Sequence, residues 1–182
     1  MDSFKEQIIK KQITKADSTR KFFIMVASVA LAFAIIFFFI GFLPAYAIIG
    51  IFIACLAIYG GFYLIQNMNI EYEYIFTNGD LDIDKIIAQR SRKRLATIQV
   101  NNATAVGIAD SNFSVSDSRT LVYASACDPE MQDYYIDVPH KSLGETTVIF
   151  TPDEDMLRVI KTHLPRPLRN NLTVPEKSED EE

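Results

Sequence analysis

The most prominent feature of the chain is an apolar stretch from Phe22 to Ile65 that contains no charged residue. As a single helix it would be about 66 Å long, whereas the hydrocarbon core of a bilayer is about 30 Å thick and about 20 apolar residues cross it. Gly41 and Pro44 interrupt the stretch near its middle, and proline ends or kinks a helix. The pattern therefore predicts a hairpin of two transmembrane helices, at about 22–43 and 45–65.

After residue 66 the hydrophobic pattern changes to the alternation that is typical of strands. Apolar and polar residues alternate through most of 70–77, Asn78-Gly79 follows, and the alternation resumes at 80–87. Asn-Gly between two such runs is the strongest short hairpin signal. Further strands are predicted at 92–100, 120–127, 133–139 and 145–150, and the Ser-, Asp- and Asn-rich residues 110–118 are predicted as a flexible loop.

The pattern changes again near residue 151, this time to helical spacing. Thr151-Pro152-Asp153-Glu154 has the residue types of a capping box with proline at the first helical position, and Pro165 ends the apolar stripe that follows. The stripe consists of Met156, Leu157, Ile160 and Leu164. The sequence thus predicts an α+β domain over 66–165, in which antiparallel strands are closed by one C-terminal helix at 152–164. The acidic residues 166–182 are predicted to form a disordered tail.

Residues 1–21 carry apolar side chains at near-helical spacing, with lysines between them. The apolar residues are Phe4, Ile8, Ile9 and Ile13. One interpretation is a short amphipathic helix that lies at the membrane interface and is attracted to anionic headgroups. The other is a short polar lead-in helix that makes no lipid contact.

The distribution of lysine and arginine predicts which side of the membrane the ends occupy. Residues 1–21 hold six basic residues, the turn between the spans holds none, and basic residues resume after the second span at Lys85. Because loops rich in lysine and arginine stay in the cytoplasm, both termini are expected there. The predicted protein is therefore a two-span protein of the cell membrane.

The charge of the predicted domain excludes one class of partner. Residues 66–165 contain nine basic and fifteen acidic residues, a net charge of −6. Binding of nucleic acid depends on clustered cations at the phosphates, so nucleic acid is not an expected partner.

The basic run formed by Arg90, Arg92, Lys93 and Arg94 is the best candidate for a contact site. In one interpretation these side chains contact anionic lipid or a partner. In the other, the arginines recur at period two and form an internal ladder with Asp80, Asp82 and Asp84 of the preceding strand, while Lys93 points to the opposite face. Glu71 and Glu73 lie on the same acidic face, and the arginines would relieve the repulsion among these carboxylates.

The sequence offers little support for metal binding or catalysis. The run Asp80-Leu81-Asp82-Ile83-Asp84 opens like a calcium loop, but Lys85 and Ser91 stand where glycine and glutamate are needed. Neither the two cysteines, Cys55 and Cys127, nor the two histidines, His140 and His163, have a partner at the spacing of a known motif. No catalytic residue, metal, cofactor or small-molecule substrate is therefore predicted, and the protein is not expected to be an enzyme.

The run from Tyr72 to Ile86, which follows two apolar spans and precedes a basic run, carries a family resemblance. With Val148-Ile149-Phe150-Thr151-Pro152 and Met156-Leu157, it resembles uncharacterised bacterial two-span membrane proteins that carry a pleckstrin-homology-like (PH-like) cytoplasmic domain. The resemblance implies a PH-like β-barrel or sandwich closed by one helix. The chain departs from typical PH domains in having no tryptophan, which their C-terminal helix usually carries.

Taken together, the sequence favours a membrane-anchored binding or scaffold module. The first hypothesis is that the PH-like domain is presented to cytoplasmic protein partners or to further copies of itself. The alternative is sensing of anionic lipid through residues 90–94 and the N-terminal lysines.

Overall fold

The computed structural model describes residues 3–110 and 113–172, and these residues form two compact units. One unit is Ile13–Ile70, which we call the helical hairpin. The other combines Met1–Gln12 with Glu71–Glu182, and we call it the β domain. The β domain is therefore built from both sides of the hairpin in the sequence.

The helical hairpin consists of two helices separated by a short turn. Helix α1 is Lys15–Phe42, a 3-10 turn covers Pro44–Tyr46, and helix α2 is Ala47–Gln66. Both helices are long and apolar enough to cross a membrane. Helix α1 thus ends one residue before the predicted end at about residue 43, with Leu43 as its C-cap.

Helix α1 begins earlier than the apolar stretch because its N-terminus is capped. Thr14 Oγ1 accepts a hydrogen bond from the backbone N–H of Asp17 at 3.2 Å, and the two residues form a capping box. In the second turn of α1, Lys21 Nζ donates a hydrogen bond to Asn69 Oδ1 at 2.7 Å. This bond connects the beginning of α1 to the residues that follow α2.

The two helices pack against each other through small residues. Gly50 lies against Phe39 and Gly61 lies against Ser28, so closely that an added Cβ atom would be 2.6 Å from a side-chain carbon in each case. Ala54, between the two glycines, is buried. Small residues let helix backbones approach in lipid, where dispersion contacts rather than the hydrophobic effect hold helices together.

The β domain contains two four-stranded sheets. The first sheet has the order β1-β2-β3-β4 and is formed by Phe4–Lys10, Ile70–Thr77, Asp80–Ile87 and Ser91–Gln99. The second sheet has the order β5-β7-β8-β6, where β5 is Ala105–Ile108, β6 is Thr120–Ala124, β7 is Tyr134–His140 and β8 is Gly144–Phe150. The predicted strands are thus present, and β1 and β5 are additional.

The N-terminal segment is a strand, and both helical interpretations of it are wrong. Strand β1 pairs antiparallel with β2 along its whole length, with Phe4 opposite Thr77 and Lys10 opposite Glu71. Seven residues make too short a helix to be stable alone. Pairing with the edge of β2 instead gives this segment the hydrogen bonds of an antiparallel ladder. In the sheet Ile9 is buried, as one face of a period-two strand requires.

Side chains of β1 also hold the connection between β8 and the last helix. Gln7 Nε2 donates to the carbonyl of Thr151 at 3.2 Å, and Gln7 Oε1 accepts from the N–H of Asp153 at 2.9 Å. Lys5 Nζ donates to Asp155 at 2.9 Å. The predicted domain boundary at residue 66 therefore omits a strand that the domain contains.

The second sheet departs from the predicted antiparallel arrangement. Strand β6 pairs parallel with β8, while β7 and β8 are antiparallel. The β7–β8 hairpin fits between β5 and β6, which leaves β6 beside β8 and running in the same direction. Strand β5 has only four residues, too few for alternation to predict it.

Helix α3, Glu154–His163, follows β8 and buries its apolar stripe. Its N-cap is Asp153, whose Oδ1 accepts from the N–H of Met156 at 2.7 Å. The predicted capping box on Thr151 is wrong, because that hydroxyl instead donates to Asp133 at 2.6 Å. Met156, Leu157 and Ile160 are fully buried.

The predicted start of the disordered tail at residue 166 is wrong, because ordered structure continues beyond it. Arg166–Leu168 forms a 3-10 turn, and Leu172 is buried. Arg169 donates to the carbonyls of Thr162 and Leu164, which satisfies acceptors at the end of α3. The remaining part of the predicted tail, residues 173–182, lies outside the described residues.

The β domain should fold without the helical hairpin if β1 is kept. Since Lys10 and Glu71 are opposite each other, replacing residues 11–70 by Asn-Gly joins β1 to β2 through a two-residue hairpin. We expect this variant to be soluble without detergent and to show a cooperative β-sheet unfolding transition by circular dichroism. A matched chain that begins at residue 71 lacks β1, and we expect it to aggregate or unfold. Equal stability of the two chains would contradict a role for β1.

The glycines of α2 should differ in their tolerance of a methyl group. Gly61→Ala would press against Ser28 and should destabilise the hairpin by about 1–3 kcal/mol. Gly60→Ala is the matched control, since no heavy atom lies within 4 Å of its added Cβ. Helical circular dichroism of the full chain in increasing fractions of denaturing detergent measures both. Equal loss of helix in the two variants would contradict the packing described above.

Candidate binding surface

The basic run lies at one edge of the first sheet, on β4 and on the turn before it. Strands β3 and β4 are antiparallel, with Asp84 opposite Arg94 and Ile86 opposite Arg92. The register shifts between Ile83 and Asp84. This β-bulge determines which carboxylate each arginine can reach.

Arg92 is paired with a carboxylate that is almost completely buried. Its Nη2 donates to Glu73 Oε1 at 2.9 Å, and its Nη1 lies 2.7 Å from Glu73 Oε2. Glu73 is only 1% exposed. Burial raises the pKa of the Glu73 carboxyl above its ordinary value of 4.5, against the opposing effect of Arg92. The arginine thus neutralises a charge that would otherwise be costly to bury.

Arg94 binds two aspartates of β3. It donates from Nε to Asp84, which is buried, and its Nη1 lies 2.6 Å from Asp82 Oδ1. The hydrogen bond that Arg94 donates to Asp84 raises the pKa of Arg94, so its charge is retained at any physiological pH.

The internal ladder predicted from the sequence is therefore present in part. Arg94 pairs with Asp82 and Asp84 as expected, but Arg92 reaches across to Glu73 on β2. Asp80 is opposite Gln99 and not opposite an arginine. A charged edge strand also protects the open edge of a sheet from pairing with other chains.

Lys93 lies on the other face of β4, opposite Lys85. It is exposed, and among the residues that the structure describes it forms no ion pair. The prediction that Lys93 points away from the arginines is consistent with this register.

Arg90 lies in the turn between β3 and β4, which is strained. Ala88 and Gln89 have φ of 53° and 55°, and the N–H of Arg90 bonds to the carbonyl of Ile87 at 3.0 Å. Left-handed backbone costs a residue with a Cβ atom about 1–2 kcal/mol. The turn after β2 also has positive φ at two residues, but these are Asn78 and Gly79, which adopt it readily.

The strained turn borders an open cleft in the β domain. The cleft has a volume of about 350 Å³ and is lined by Glu71, Ile86, Gln89, Arg90, Ser91 and Arg92. Gln89 Nε2 donates to Glu71 Oε1 at 2.9 Å across it. Two residues of the predicted basic run thus share a cleft with Glu71, which the sequence places on the acidic face, and with Gln89, which sequence reasoning did not select. Gln89 is identified only by its hydrogen bond to Glu71 in the folded domain.

The residues considered for chemistry are distributed elsewhere. Cys127 lies after β6, 3.7 Å from the hydroxyl of Tyr123, and Cys55 lies in α2. His140 Nδ1 accepts from the N–H groups of Ser142 and Leu143 in the β7–β8 turn, at 3.2 Å each. Within residues 3–110 and 113–172, no group of three or more histidines, cysteines or carboxylates is arranged to hold a metal ion.

Two sheets followed by a C-terminal helix, together with two helices long and apolar enough to be transmembrane, are consistent with a PH-like membrane protein. The family described as "Bacterial PH-like domain (DUF6106)" matches residues 1–170, and the chain belongs to this family. The match includes β1 and the helical hairpin, which agrees with a domain built from both sides of the hairpin. PH-like families are generally non-catalytic. The chain matches no curated protein and no solved structure.

Removing the charge of Arg92 should destabilise the β domain. Arg92→Met leaves Glu73 buried without its counterion, and we expect a loss of about 2 kcal/mol or more in the free energy of unfolding. Adding Glu73→Met removes the orphaned charge and should restore most of the loss. Denaturant unfolding of the turn-joined β domain measures the effect, with Lys93→Met as the exposed control on the same strand, expected to change stability by less than about 0.5 kcal/mol.

The loss caused by Arg92→Met should depend on pH. The pKa of Glu73 is raised above 4.5 in the folded state. Between pH 4.5 and that raised pKa the folded state therefore binds more protons than the unfolded state, and the free energy of unfolding falls as the pH rises through this range. Without Arg92 the pKa rises further, so the loss should be largest at neutral pH and should shrink towards pH 4.5. A loss that is independent of pH would contradict this account of the pair.

Proposed function

We propose that this protein is a membrane-anchored binding or scaffold module that presents its PH-like domain to protein partners in the cytoplasm. The observation that carries the proposal is the pairing of β1 with β2 on either side of the helical hairpin. The chain leaves the sheet after Lys10 and returns at Glu71, directly opposite. Because both ends of the hairpin continue into one folded domain, the chain has to return to the side from which it left. Two spans with both flanks on the same side satisfy this requirement.

The charge distribution supports a cytoplasmic location for the β domain. The turn between the helices has no lysine or arginine, whereas the segment before α1 and the first turns of α1 have six. The spans themselves contain no charged residue, and transporters and proton pathways usually place such residues inside the membrane. These features favour an anchor over a transport function.

The architecture of the β domain supports binding rather than catalysis. We propose that its two sheets form a PH-like barrel or sandwich that α3 closes, since the apolar stripe of α3 is buried within this domain. The most buried charged groups, Glu73 and Asp84, are occupied by structural arginines. A fold by itself does not determine an activity, so the proposal rests on the tethered arrangement.

Contact with anionic lipid is the second candidate function, and one observation favours it. The end of the first sheet at which the chain continues into the hairpin is basic, although residues 66–165 carry a net charge of −6. The cations at this end are Lys10, Lys85, Arg90, Arg92 and Lys93. Basic residues close to a span are attracted to anionic headgroups, by about 1 kcal/mol each.

The proposed orientation can be tested by thiol labelling in a bacterial host. In a chain with Cys55 and Cys127 replaced by serine, we expect Leu43→Cys in the turn to react with a membrane-impermeant maleimide in intact cells. Lys93→Cys in the β domain should react only after the membrane is opened. Labelling of Lys93→Cys in intact cells would contradict a cytoplasmic domain.

Partner binding is tested in the same cells by cross-linking before the membranes are solubilised. We expect at least one protein to be enriched with the full chain over a matched chain that contains only Ile13–Ile70. A protein captured equally by both would be a neighbour of the hairpin and not a partner of the β domain. If no protein distinguishes the two chains, the scaffold proposal is wrong.

A further inference from the structure

The cleft beside the β3–β4 turn is lined by a residue that follows the second apolar helix closely in the sequence. Glu71, which lines it, follows Gln66 at the end of α2 by five positions. A fully extended chain of this length covers at most about 18 Å. Only a short connection therefore joins Glu71 to the end of α2.

The cleft presents both signs of charge side by side. Arg90 and Arg92 line it, and planar guanidinium groups match the oxygens of a phosphate. The carboxylate of Glu71 lines it as well, fixed by the amide of Gln89 at 2.9 Å. A carboxylate held beside two guanidinium groups suits a ligand that carries an amine next to a phosphate.

The existing contacts of Arg92 and Glu71 leave room for such a ligand. Arg92 binds Glu73 with two nitrogens, but its side chain is 55% exposed and a guanidinium group has five donor hydrogens. Lys10 Nζ lies 3.9 Å from Glu71 Oε1 and its side chain is 78% exposed, so this surface pair is weak. An ammonium group of a ligand can take the place of Lys10 at little cost.

The strained turn is a second observation at the same place. Ala88 and Gln89 both adopt left-handed backbone, and strain of this kind persists where the surrounding structure or a function requires it. Here it places the side chain of Gln89 against Glu71 and the side chain of Arg90 at the cleft.

We propose that this cleft binds the phosphoethanolamine headgroup of a membrane lipid, with the phosphate at Arg90 and Arg92 and the ammonium group at Glu71. The proposal deepens the lipid candidate above and rests on the proposed membrane anchoring. It differs from general attraction to anionic lipid, because it requires recognition of the amine as well as the phosphate. A volume of about 350 Å³ accommodates such a headgroup.

Native mass spectrometry of the full chain in detergent tests this directly. With equal amounts of phosphatidylethanolamine and phosphatidylglycerol added, we expect the wild-type chain to retain the former preferentially. Glu71→Gln should reduce the preference by about tenfold, the equivalent of about 1.4 kcal/mol. Arg90→Gln removes a cation from the cleft and should weaken retention of both lipids. Ser91→Glu adds a negative charge to the cleft lining and should also weaken retention of both lipids, by repulsion of the phosphate. Lys93→Gln is the matched control, since it removes a cation of the same edge outside the cleft.

Several outcomes would overturn the proposal. Equal retention of the two lipids by the wild-type chain, or an unchanged preference in Glu71→Gln, would exclude recognition of the amine. An equal effect of Lys93→Gln and Arg90→Gln would indicate surface charge alone. Displacement of the lipid by soluble glycerophosphoethanolamine at similar concentration would identify a soluble ligand instead. Because partner capture and thiol labelling are measured separately, failure here with those results intact would reject the cleft assignment and leave the proposed function standing.

Discussion

The pairing of β1 with β2 is the constraint on which the rest of the molecule depends. It joins two segments that are 61 positions apart at Lys10 and Glu71 and 73 positions apart at Phe4 and Thr77. All of the apolar helical sequence lies between them. The sheet is therefore continuous through residues that the sequence separates by a complete helical hairpin, and the two ends of that hairpin are held at neighbouring positions of one strand pair.

Charge in the β domain is organised by the same sheet. Its net charge is negative, yet the most buried carboxylates, Glu73 and Asp84, are covered by arginines from the edge strand β4. These arginines serve three roles at once, because they neutralise buried charge, fix the register of β4 and keep a charged edge exposed. The basic run is thus mainly part of the structure, and the cleft next to it uses only Arg90 and the exposed side of Arg92.

The sequence predicted the elements whose signals are long or strongly periodic. The apolar helices, the hairpin at Asn78-Gly79 and the stripe of α3 belong to this group, since burial in lipid or in a core imposes the period directly. Strand β1 could not be identified in this way, because seven residues with scattered isoleucines fit a helical spacing as well as an alternating one. Its conformation is decided by a partner strand more than sixty positions away, which no local pattern reveals.

The position of the candidate surface could be predicted from the sequence, but the partners of its arginines could not. The arginines were visible as a cluster of charge, but their partners depend on the bulge after Ile83, which shifts Arg92 towards Glu73. Glu71 was expected on the acidic face, but Gln89 carried no signal, since Ala88-Gln89 is an unfavourable sequence for the turn that it forms. Local propensity fails at this turn, and such failures are characteristic of functional or strained sites.

The separation of β1 from β2 also determines the order of events during synthesis. At about 5–20 residues per second, β2 leaves the ribosome about 3–12 s after β1. During that time both apolar helices are made, and β1, with its exposed Phe4 and Ile8, has no strand to pair with. The first sheet can therefore be completed only after both helices have been synthesised and the chain has turned back to bring β2 beside β1. A chain whose two helices do not turn back leaves β1 without its partner strand, and the first sheet then has three strands instead of four.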